Sequence, residues 1–156
     1  MLNSFFKILY SRKTGGLTRK ALDAFKQFTF KNPFVILQYK DQEFLTYIVD
    51  DKRSAVLFDG FAWGYGGEGP NGLLEALKTF GWNFELGDLP PAHQDGVWIV
   101  TEGEIQPLTS QKWSCPKGNN VLRIWSDNNS MIAPFQKCTC GEPFDESTWT
   151  YLEEIE

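Results

Sequence analysis

Residues 59–72, Asp-Gly-Phe-Ala-Trp-Gly-Tyr-Gly-Gly-Glu-Gly-Pro-Asn-Gly, hold six glycines in fourteen positions. An apolar run, Ala55-Val56-Leu57-Phe58, precedes them, and Leu73, Leu74, Leu77 and Phe80 follow at helical spacing. This order predicts a strand, a glycine-rich loop and a helix starting near Gly72. So many glycines carry a large entropic cost in the unfolded chain, so the segment points to a backbone path that the protein needs.

The chain before that segment divides at Asn32-Pro33. Leu2, Phe5, Phe6 and Leu9 fall at helical spacing and predict a short amphipathic helix. Thr18 is the expected N-cap of a second helix with Ala21, Leu22, Phe25 and Phe28 on one face, ended by Pro33. From Phe34 the pattern changes to short apolar runs between polar turns. Residues 34–39, 43–49 and 54–58 read as three strands of an antiparallel meander.

Beyond the glycine loop, residues 97–101, 121–125 and 131–135 read as further strands, and 107–120 as an irregular, turn-rich stretch. Residues 147–154 fit a helix or a strand equally well. The expected fold class is α+β: a three-stranded meander plus later strands, packed against two or three helices. With 156 residues, no repeat and no low-complexity segment, residues 1–156 are expected to form one domain.

Charge is uneven. Residues 1–31 carry +6 and residues 32–156 carry −11, for a net of −5. A basic helical N-terminal segment on an acidic body is the expectation. Acidity in the body argues against nucleic acid as the main partner, because duplex binding needs cations to displace counterions. It favours a basic protein partner. The chain shows neither an export signal at its start nor a run of roughly 20 apolar residues, so a cytoplasmic protein with no membrane partner is expected.

The glycine loop invites two functional readings. Gly64, Gly66 and Gly69 trace a G-x-G-x-x-G spacing, which would make residues 64–72 a contact for a nucleotide or phosphorylated metabolite. However, Pro70, Asn71 and Gly72 stand where a P-loop has Lys and Ser or Thr, and the strands upstream read as hairpins rather than a βαβ unit. Glu68 also sets a carboxylate against any phosphate.

The preferred reading is a recognition turn. Trp63 and Tyr65 present aromatic faces beside Asp59 and Glu68, with Gly66 and Gly67 allowing close approach, a set suited to an Arg- or Lys-bearing partner. The leading expectation is a small acidic binding protein, of inhibitor or immunity type, that neutralises a basic partner by occlusion.

Other chemistry is weaker. Cys115, Cys138, Cys140 and His93 would make a Cys₃His zinc set, but Cys115 lacks the second ligand that a knuckle supplies, so free thiols are preferred. His93 is the sole histidine and no nucleophile elbow accompanies it. No catalytic constellation, cofactor or bound metal is expected.

Overall fold

A computed structural model describes the backbone of residues 2–12, 17–51, 54–91, 93–126, 140 and 145–155. The meander is present as expected. β2 (Phe34–Lys40), β3 (Glu43–Val49) and β4 (Ser54–Phe58) pair antiparallel in sequence order. Asp41 and Gln42, both at positive φ, make the two-residue turn between β2 and β3. That conformation suits the right-handed twist of the strands it joins.

Four further strands complete the sheet with β1 (Leu2–Arg12): β5 (Gly96–Thr101), β6 (Glu104–Ser114), β7 (Asn120–Ser126) and β8 (Thr150–Ile155). The strand order is β5-β2-β3-β4-β1-β7-β6-β8, and β6 pairs again with β5. The pairings therefore close in a ring, with β8 added to β6. All are antiparallel except β1 with β4. Among the described residues, two α-helices, α1 (Thr18–Phe25) and α2 (Glu68–Lys78), make the fold α+β.

Alternation along β2 to β5 buries side chains on both of their faces. Val35, Leu37, Ile48, Val56, Phe58 and Val100 face the helices, with Phe25, Phe61, Trp63, Leu73 and Leu77 packed on them. Ile36, Tyr47, Val49, Leu57, Val97 and Ile99 are buried on the opposite face. At about 1.5–3 kcal/mol per fully buried large apolar side chain, these two layers supply the main stabilisation.

Several expectations need correction. Residues 2–9 are not a helix but the first part of β1, so the basic N-terminal segment is only partly helical. Leu2 to Lys7 pair with β7, and Lys7 to Arg12 with β4, with a one-residue register slip between Ile8 and Tyr10. The second helix ends at Phe25, short of Pro33, and Phe28 and Phe30 continue the buried face outside it. Its N-cap is Leu17, not Thr18.

A short strand near Ile105, paired with residues 97–101, is present as expected, but it continues through residues 107–114, expected to be irregular, as one strand. It tolerates Pro107 because residues 104–108 pair, among the described residues, with β5 alone, leaving an edge where the missing N–H costs nothing. The last segment resolves as strand β8. The breaks expected at residues 13–16 and 52–53, the strand at 131–135 and Cys138 lie outside the described residues. Among the described residues, no helix is long and apolar enough to cross a membrane.

Candidate functional site

The glycine-rich segment is shorter as a loop than its sequence implies. β4 ends at Phe58, Asp59 and Gly60 turn the chain, and residues 61–63 run buried across the helix-bearing face. An exposed arch follows over residues 64–66, with Gly64 at φ +88°. Helix α2 begins at Glu68, four residues before the expected Gly72, with Gly67 as N-cap. Pro70 thus stands in the first turn, where its missing N–H has no intrahelical acceptor to lose. Asn71 closes the turn, its Nδ2 donating to the Gly67 carbonyl at 2.8 Å.

Between this arch and the β2–β3 turn lies a cleft of about 560 Å³. Glu43 and Phe44 from the start of β3 form one wall, Asp59 to Ala62 the floor, and Tyr65, Glu68 and Gly69 the other wall. Three carboxylates, Glu43, Asp59 and Glu68, therefore border one space.

Tyr65 is 46% exposed and folds back over the helix start. A Cβ at Gly67 would stand 3.1 Å from its Cε2, and one at Gly69 would stand 3.2 Å from its hydroxyl. Phe44 ties the aromatic groups together: its ring centroid is 4.8 Å from Trp63, 4.7 Å from Tyr39 and 6.4 Å from Tyr65.

The expected contact residues separate into two groups. Tyr65, Gly66 and Glu68 are exposed, Asp59 and Gly67 half-buried, and all five belong to the arch or its bases. Trp63 is a correction: its side chain is 0% exposed, packed edge-on to Phe44 and against Trp98. It packs beneath the cleft floor and does not line the cleft. Glu43 and Phe44 were missed, because they reach the cleft from a different strand and nothing local to the glycine segment points to them.

His93 sits elsewhere, beside a second, open cleft with Asp41, Gln42 and Asp95. Its Nδ1 and the Tyr39 hydroxyl share a hydrogen bond at 3.0 Å, and its ring also packs edge-on to Phe44. Cys115 belongs to a separate small cluster with Trp113, Val121 and Trp149. The Cys₃His set is thus split between two regions, and among the described residues no three His, Cys, Asp or Glu side chains are placed to hold a metal.

A phosphate at the start of α2 would meet the Glu68 carboxylate in the first helical turn, which offsets the attraction of the helix N-terminus. What the cleft offers chemically is the reverse: carboxylate acceptors and an aromatic face for a cation. Comparison with known protein families, with curated proteins and with solved structures found no match.

Proposed function

We propose that this protein is a small binding protein that takes a cationic side chain of a basic protein partner into the Glu43–Asp59–Glu68 cleft, and that docking there occludes the partner's own working surface. The observation that carries the reading is the shared border of that cleft: three carboxylates and the exposed Tyr65 ring around one space. A guanidinium or ammonium group there gains charge-assisted hydrogen bonds and a cation–π contact, together worth a few kcal/mol once water is displaced. The −11 balance of residues 32–156 adds long-range steering, which speeds association more than it deepens affinity.

The experiment is capture on the immobilised full chain, compared with an Asp59→Asn/Glu68→Gln double variant. Retention of basic proteins by the native chain, lost in the double variant and weakened as ionic strength rises towards about 0.5 M, supports the reading. Equal retention by both proteins at all salt concentrations overturns it. A thermal-shift screen of nucleotides and sugar phosphates tests the rival small-ligand reading. A ligand at a hundredfold excess over its Kd adds about 2.7 kcal/mol, so a flat response removes that option.

A further inference from the structure

The hairpin between β6 and β7 closes through a tight turn. Cys115 N–H donates to the Asn119 carbonyl at 3.0 Å, and Gly118 N–H donates to the Cys115 carbonyl at 2.8 Å. Gly118 adopts φ +83°, which a glycine meets without strain. These bonds fix Cys115, only 3% exposed, against Trp113, Val121 and Trp149. Cys140 is half-buried at the edge of the same cluster, and the two Sγ atoms lie 3.9 Å apart.

Two thiols from positions 25 residues apart stand as direct neighbours, and closing their 3.9 Å separation to roughly 2.05 Å would make a disulfide. Thiolates around a zinc ion stand at a similar separation, but such a site needs four ligands. Among the described residues, no third metal-ligating side chain stands with this pair. A disulfide is complete with two.

We propose that Cys115 and Cys140 are a redox pair that closes a disulfide, fastening the β6–β7 turn to the segment leading into β8. With a glutathione-type disulfide as oxidant, the more accessible Cys140 thiolate attacks one oxidant sulfur and expels one glutathione thiolate. Cys115 then attacks the Cys140 sulfur of the mixed disulfide and expels the second. The two protein thiols lose two protons and two electrons, and the oxidant leaves as two thiols.

The surroundings of Cys115 favour that second step. Burial pushes its thiol up, but the backbone N–H and side-chain amide of Asn119, the backbone N–H of Lys117 and the Cys140 thiol outweigh burial and hold it below the ordinary cysteine value. The Asn119 amide donates to the sulfur at 3.3 Å. None of this depends on the acidic cleft.

The test equilibrates the reduced full chain in glutathione buffers of rising oxidised fraction, traps remaining thiols by alkylation and maps cross-linked peptides by mass spectrometry. The expected result is a dominant intramolecular Cys115–Cys140 link, reversed by dithiothreitol and accompanied by a rise in Tm of roughly 5–10 °C. Cys138→Ser should leave the link in place, and Cys140→Ser should abolish it. A dominant link through Cys138, an intermolecular link, or thiols that stay reduced in the most oxidising buffer overturns the proposal. So does about one equivalent of co-purified zinc that must be chelated before the thiols react.

Discussion

The Thr18 hydroxyl donates to the Gly60 carbonyl at 2.9 Å, joining the first turn of α1 to the loop after β4 across 42 residues of sequence. Around that bond the two segments are in tight contact. A Cβ at Gly60 would strike the Ala21 Cβ and stand 2.7 Å from the Leu17 carbonyl oxygen, and one at Gly72 would strike the Thr18 methyl. Two of the six glycines therefore serve the approach of α1 to the loop and to α2, and the exposed arch is held at its base by these contacts.

Thr18→Val keeps the shape of the side chain and removes the donor, leaving a buried carbonyl without its partner. The expected loss is about 1–3 kcal/mol of folding free energy, read from urea denaturation midpoints at unchanged slope. A change within about 0.3 kcal/mol would mean that the bond contributes nothing to the clamp.

The glycines should respond unequally to substitution. Gly60→Ala forces atoms into α1 and should destabilise by about 1–3 kcal/mol. Gly66→Ala meets nothing within 4 Å and should change stability by less than about 0.5 kcal/mol. Similar losses at both positions would show that the arch, rather than the packing beneath it, is the constrained part.

Trp63 and Tyr65 stand two residues apart and have opposite roles. Trp63→Ala empties the space between Phe44 and Trp98 and should cost about 3–5 kcal/mol, seen as a large fall in Tm. Tyr65→Ala should leave Tm nearly unchanged while weakening partner retention. If Tyr65→Ala proves the more destabilising of the two, the division between buried packing and surface is wrong.

In the turn that precedes β8, Asp145 makes an acid-sensitive contact. Its carboxylate accepts from the Ser147 hydroxyl at 2.7 Å and from the Ser147 N–H at 2.8 Å, and these two bonds hold its pKa below the ordinary aspartate value. A depressed folded-state pKa means that the contribution is complete above the unfolded value and fades as pH falls through the folded one. Carboxyl-detected NMR titration should find Asp145 ionising below the unstructured-peptide value, and Ser147→Ala should move it back up.

The meander was readable because each strand is bounded by polar turns and its partner is the next run along the chain. β1 was not, because Leu2, Phe5, Phe6 and Leu9 fit a helical face as well as a strand over so short a stretch. Its true partners, β4 and β7, are remote in sequence. β6 was hidden by Pro107, which signals a break unless one knows that half of the strand is an edge. Within the site, Tyr65, Asp59 and Glu68 were legible from the glycine segment itself. Trp63 could not be told from Tyr65 there, since both are aromatic neighbours of Gly64, and only tertiary packing sends one inward.

A cation-accepting cleft bordered by Glu43, Asp59 and Glu68 is the central proposal. The most direct measurement is a ¹H–¹⁵N NMR titration of the native chain with a short arginine-rich peptide at low and high salt. The predicted result is saturable shifts concentrated at Phe44, Ala62, Tyr65, Glu68 and Gly69, diminished by salt and absent from the Asp59→Asn/Glu68→Gln variant. Shifts scattered over the acidic surface, or unchanged by the double substitution, would contradict it.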